Sequence, residues 1–69
     1  MTAESLQRIE KIASAIQKAG LDPIEQLYGY YLTSRTDYIT RQDDARSLIL
    51  LVELQDLEEY LGTRIPNYE

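Results

Sequence analysis

The sequence predicts an all-α fold, a compact bundle of three or four short helices assembled as a homodimer. Three observations predict it. Apolar residues recur at steps of three and four along most of the chain, and no stretch alternates with period two for long. The chain has 69 residues, read as a single small helical domain over 1–69 with residues 62–69 as a C-terminal tail. A domain of that size buries only about 60% of its unfolded surface and is marginal alone. Finally, cysteine and histidine are both absent, which removes disulfides and the common zinc sites. A partner subunit is the support that remains.

Each element has a local reason. Thr2 can cap a first helix over about Ala3–Ala19, whose apolar stripe is Leu6, Ile9, Ile12, Ala13 and Ile16. Gly20 suits a left-handed C-terminal position. Asp22-Pro23-Ile24-Glu25 is the strongest start signal in the chain: a capping side chain, a proline at the first helical position and an acid in the first turn. The second helix then covers Pro23–Thr33, with Ile24, Leu27, Tyr28, Tyr31 and Leu32 on one face and Gly29 and Tyr30 to the side or back. Thr33–Asp37 is polar and reads as a loop, with Tyr38-Ile39 as an apolar anchor inside it. Thr40–Asp43 has the spacing of another helix start, leading a third helix over Arg41–Val52. Leu48-Ile49-Leu50-Leu51-Val52 leaves that helix no polar face over more than a turn, which calls for burial all round. Leu54, Leu57, Tyr60 and Leu61 resume the stripe, as a fourth helix or a continuation of the third, and Gly62 ends it. Ile65 and Tyr68 are the apolar residues of the tail.

A glycine inside the second helix costs about 1 kcal/mol against alanine. Gly29 among Tyr28, Tyr30 and Tyr31 therefore suggests close approach by another helix. Tyrosine suits such contacts, because one end is apolar and the other polar. The expected dimer interface is Tyr28, Gly29, Tyr31 and Leu32 with Leu48, Leu50, Leu51 and Val52. The plainer alternative places the tyrosines in the core or surface of one subunit.

The net charge is −5. Residues 1–42 carry five basic and five acidic groups, and residues 43–69 carry two and seven, so the deficit of five lies entirely in the second part. An acidic chain without a basic stripe lacks the footprint of a nucleic-acid binder. No apolar run reaches the length of a membrane span, and no signal peptide is read, so the expected location is cytoplasmic, without membrane insertion. The carboxylates Asp43, Asp44, Asp56, Glu58 and Glu59 read as first-turn charges and a solvated face. Catalytic carboxylates need a cleft that shifts their pKa, and no enzyme activity, metal or cofactor is expected.

Two further groups attract notice. Arg35, Arg41 and Arg46 could gather round the 33–40 loop as an anion site, although Arg46 is also placed to pair with a carboxylate or with carbonyls at a helix end. Thr2, Thr36 and Thr40 are candidate phosphoacceptors, because a phosphate beside these arginines or at a helix start would be stabilised. The plainer reading of the hydroxyls is turn and cap chemistry.

Pro23-Ile24, Gln26-Leu27, Gly29-Tyr30, Leu32, Tyr38-Ile39, Asp44-Ala45-Arg46, Leu48-Ile49, Glu53 and Leu57 stand at the spacing of one family. From Gly20 to Leu61 the chain resembles the IreB family of small regulatory phosphoproteins of Gram-positive bacteria. The resemblance implies a non-enzymatic helical homodimer in the cytoplasm, modified by a Ser/Thr kinase and its partner phosphatase. It further implies negative regulation in cell-wall stress, including cephalosporin resistance. Family phosphorylation falls on threonines of an N-terminal tail, where this chain has Thr2 alone before its first helix. Leu50 and Leu51 stand where the family commonly has basic residues, which enlarges the expected apolar interface.

Overall fold

Two locally encoded helices form the frame of the structure, a computed structural model that describes residues 1–65. Helix α1 spans Ala3–Lys18, and its N-cap Thr2 accepts a hydrogen bond at Oγ1 from the Ser5 amide at 3.1 Å. Ala19 caps its C-terminus and Gly20 follows at φ +85°, the left-handed region that glycine enters freely. Helix α2 spans Pro23–Thr33. Asp22 Oδ1 accepts from the amides of Ile24 and Glu25 at 2.9 and 3.4 Å, and Pro23 occupies the first turn. Both helices run as the sequence predicts, α1 ending one residue earlier.

The second half departs from expectation. The anticipated Arg41–Val52 helix is broken into a 3-10 turn at Gln42–Asp44 and a five-residue helix α3 at Ala45–Ile49. Asp43 and Asp44 both have positive φ, 54° and 61°. Aspartate tolerates this region better than most residues, and two such residues end any helix that Thr40 could start. Thr40 Oγ1 instead accepts from the Gln42 amide at 3.2 Å, a turn contact. After Leu50-Leu51 the chain extends at Glu53 (ψ 140°) and helix α4 begins, Leu54–Gly62, so the third and fourth helices are separate. A further 3-10 turn, Thr36–Tyr38, bridges α2 to this half.

Helix α1 packs against α2, α3 and α4, and α2 packs against α4. The core joins Ile9, Ile12 and Ile16 of α1 to Leu27 and Tyr30 of α2, Ile39, Ala45 and Ile49, and Leu57, Tyr60 and Leu61 of α4. The radius of gyration is 10.8 Å, against about 11 Å for a compact chain of this length. One chain thus closes a core of its own. Among the described residues no polar or charged residue falls in the buried class, and no buried side-chain nitrogen or oxygen lacks a partner.

One expectation is corrected here. The buried face of α2 is centred on Leu27 and Tyr30, with Ile24 and Tyr31 beside them, whereas Tyr28 and Leu32 are exposed. Within the single chain the Leu48–Val52 run is divided: Ile49 and Val52 enter the core and Leu48 packs on it, while Leu50 and Leu51 are 68% and 63% exposed. The helix stops after Ile49, so Leu50 and Leu51 face outward together before Val52 returns to the core. Of the tail, Ile65 packs on the core, and its amide donates to the Leu61 carbonyl at 3.0 Å. Tyr68 lies outside the described residues.

Candidate functional site

The segment from Thr33 to Ser47 carries the three arginines and two of the three threonines singled out from the sequence, and α2 positions its first half. Ser34 ends α2 at φ 58° and its amide donates to the Tyr30 carbonyl at 2.7 Å. Thr33 Oγ1 donates to the Gly29 carbonyl at 2.7 Å and accepts from the Arg35 amide at 3.2 Å. The chain then turns back so that Tyr38 lies on Gly29: a Cβ built at residue 29 would sit 2.5 Å from Tyr38 Cε1. The close approach inferred from Gly29 is therefore real, but an aromatic ring from the next turn makes it, not a helix. Gln26 Nε2 donates to the Tyr38 carbonyl at 3.1 Å and fastens the same turn to α2. Nothing in the spacing of Gln26 announced that role.

Helix α3 fastens the other end. Ile39 is fully buried, and its carbonyl accepts from Arg46 Nε at 2.9 Å. Arg46 thus takes a carbonyl at the end of a helical turn, one of the two structural partners expected for it. Arg46, Arg41, Thr36 and Ser47 line one shallow concavity of about 400 Å³ together with Asp44 and Leu50. Two of the three arginines anticipated as an anion site are brought together. Arg35 is not: its Nη2 meets Asp37 Oδ2 at 2.7 Å, and it borders a separate hollow with Gln26 and Tyr38. The hydrogen bond from Arg35 to Asp37, then their charge attraction, holds the Arg35 pKa above its ordinary value. Both side chains are exposed, so the pair adds little to stability. Ser47 and Asp44 were not anticipated as members of the concavity. Their membership depends on the left-handed turn at Asp43-Asp44, which the pattern does not reveal.

The hydroxyls divide by use. Thr2, Thr33 and Thr40 act in caps or turns, as the plainer reading held. Thr36, half-buried, makes no side-chain hydrogen bond among the described residues. Thr2 is exposed and lies where α1 meets α4: Ser5 Oγ donates to Asp56 Oδ2 at 2.8 Å, and the Met1 ammonium lies 3.5 Å from Glu59 Oε1.

The residues anticipated as an interface are also divided. Leu50, Leu51 and Leu32 are exposed by 68%, 63% and 61%, and Tyr28 by 36%. Tyr31 and Leu48 pack against the core, Val52 is part of it, and Gly29 is covered by Tyr38. Among the described residues no three carboxylates gather to hold a metal ion, and no helix is long and apolar enough to cross a membrane.

The family model for the IreB regulatory phosphoprotein matches residues 2–65, which reaches beyond the 20–61 resemblance into α1 and the end of the described chain. A helical chain matched over almost its whole length carries a regulatory role with that match: this protein belongs to the family of IreB regulatory phosphoproteins.

Proposed function

We propose that the chain is a cytoplasmic regulator without catalytic activity, acting by protein contact downstream of a Ser/Thr kinase and phosphatase in cell-wall stress and cephalosporin resistance. The family match over residues 2–65 carries this reading. The kinase modifies Thr2 or the Thr36 and Thr40 loop, and the phosphatase reverses it. The working unit is a homodimer that covers Leu50 and Leu51, two adjacent leucines each more than 60% exposed in the single chain. Leu32 and Tyr28 extend the contact, while Leu48 and Val52 support it from beneath. Burying apolar area stabilises by about 25 cal/mol per Å², and Leu50 and Leu51 are the most exposed large apolar side chains among the described residues.

The experiment is incubation of the purified chain with the cytoplasmic domain of a cognate Ser/Thr kinase, read by intact mass. A gain of one phosphate that the phosphatase removes is expected. An unmodified chain, under conditions that fully label a control substrate, would favour the alternative of a small helical adaptor outside any phosphorylation circuit.

A further inference from the structure

The loop threonines differ in what their hydroxyls do. Thr33 and Thr40 spend theirs on the Gly29 carbonyl and the Gln42 amide. The Thr36 hydroxyl has no partner among the described residues, and Thr36 lines the same concavity as Arg41 and Arg46. Arg41 makes no hydrogen bond or ion pair there through its side chain. Arg46 commits Nε to the Ile39 carbonyl, which leaves its two terminal nitrogens available. Arginine meets phosphate oxygens with paired, charge-assisted hydrogen bonds.

The geometry points to Thr36 as a phosphoacceptor whose phosphate is held in the concavity by Arg41 and Arg46. This rests on the reading of the chain as a kinase substrate, and adds which residue is modified and what the modification grips. In the transfer, Thr36 Oγ1 bonds to the γ-phosphorus of a nucleoside triphosphate. The bond from that phosphorus to the β-bridging oxygen breaks, and the hydroxyl proton passes to a carboxylate base of the kinase. The nucleoside diphosphate leaves. The phosphate brings about −1.5 to −2 charge and three acceptor oxygens. The 3-10 turn at Thr36–Tyr38 is held by a few hydrogen bonds, among them Ile39 amide to Thr36 carbonyl and Gln26 to Tyr38 carbonyl. Thr36 stands at the outer start of this turn, between the exposed Ser34-Arg35 and Asp37, which gives a kinase access to it. Once modified, Thr36 ties the turn to α3.

The charges facing the phosphate are Arg41 and Arg46, opposed by Asp44. On the turn itself Arg35 and Asp37 neutralise each other, and the Tyr38 ring is turned to Gly29. Two cations against one carboxylate favour the dianion and lower its second ionisation.

The test uses the full 69-residue chain made by chemical synthesis with phosphothreonine at position 36. Phosphorus NMR follows the second ionisation of the phosphate in this chain and in a phosphopeptide covering residues 30–46. The expected midpoint in the folded chain lies about half a unit below that of the peptide, the direction opposite charges impose. Arg41→Gln should remove most of the difference, and Asp44→Asn, which keeps a residue tolerant of positive φ, should enlarge it. A folded chain whose midpoint equals the peptide's, or is indifferent to both substitutions, overturns the proposal. Inorganic phosphate added to the unmodified chain, followed at the arginine Nε–H signals, separates the other source of the same chemistry. Binding there beside an unshifted phosphothreonine midpoint assigns the concavity to a free anion and overturns Thr36. Because synthesis bypasses the kinase, such a result leaves the kinase reading intact, and failed labelling by the kinase leaves the measured grip on the phosphate intact.

Discussion

The Tyr38 ring lies where a side chain at Gly29 would be: Cε1, Cδ1 and Cζ of the tyrosine stand 2.5, 2.6 and 3.0 Å from the position of a Cβ on residue 29. This contact brings the Thr36–Tyr38 turn down on α2, and through Ile39 and Arg46 it sets the turn against α3. It explains a glycine in mid-helix without invoking a second chain.

Gly29→Ala tests this by a change of sign. Helix propensity alone favours alanine by about 1 kcal/mol, whereas forcing a methyl into an occupied space costs about 1–3 kcal/mol. Urea unfolding followed by circular dichroism should show a net loss of about 1 kcal/mol. In a Tyr38→Ala background the same substitution should stabilise, because only the propensity term remains. A loss of equal size in both backgrounds would refute the contact.

Arg46→Lys should destabilise by about 1.5–3 kcal/mol, the range for a hydrogen bond to a charged group. Lysine reproduces the charge but not an Nε–H placed 2.9 Å from the Ile39 carbonyl. Amide hydrogen exchange should locate the loss, with protection falling at Ile39, whose amide bonds to the Thr36 carbonyl at 2.9 Å.

At the start of α2, Asp22→Ala removes the acceptor of two amides and should cost about 1 kcal/mol in urea unfolding. Asp22→Asn should recover most of it, because asparagine caps nearly as well. Equal losses in the two variants would mean that charge at the helix end, not the cap, supplies the stability.

Leu50→Glu with Leu51→Glu addresses the proposed dimer. Both side chains are largely exposed, so a single chain should keep its helix content. Light scattering should report the 8.0 kDa chain mass for the variant and twice that for the unaltered protein. The unaltered protein should also unfold at a temperature that rises with concentration, and the variant should not. A variant that stays dimeric places the interface elsewhere.

Legibility followed the range of the forces involved. The starts of α1 and α2 could be read because Thr2 and Asp22 accept from amides two or three residues away and Pro23 has its own φ preset for a first helical turn. The rotation of α2 could not. Ile24, Leu27, Tyr28, Tyr31 and Leu32 form a good stripe on paper, yet Tyr30 is the tyrosine that α2 buries most deeply. The ring of Tyr38 and the packing of α4 on α2 choose between two nearly equal faces, and both come from distant residues. The arginines show the same division. For Arg46 the sequence offers a carboxylate or a helix-end carbonyl as partner, and that it takes the Ile39 carbonyl, that Arg41 shares its concavity and that Arg35 turns to Asp37 all follow from the course of the loop.

By itself the sequence determined the helical class, the first two helices with their caps, and the family, because periodicity, capping and motif spacing are properties of neighbours along the chain. The tertiary structure alone decided where the third helix breaks and which leucines remain outside. Asp43 and Asp44 adopt positive φ where Lys18 Nζ lies 3.6 Å from Asp43 Oδ2 and Arg46 holds the Ile39 carbonyl. Those partners stand seven and twenty-five residues apart in sequence. Such backbone choices differ by only about 1–3 kcal/mol, so contacts formed on folding settle them. Once the break was made, Ile49 and Val52 went into the core and Leu50 and Leu51 were left facing out.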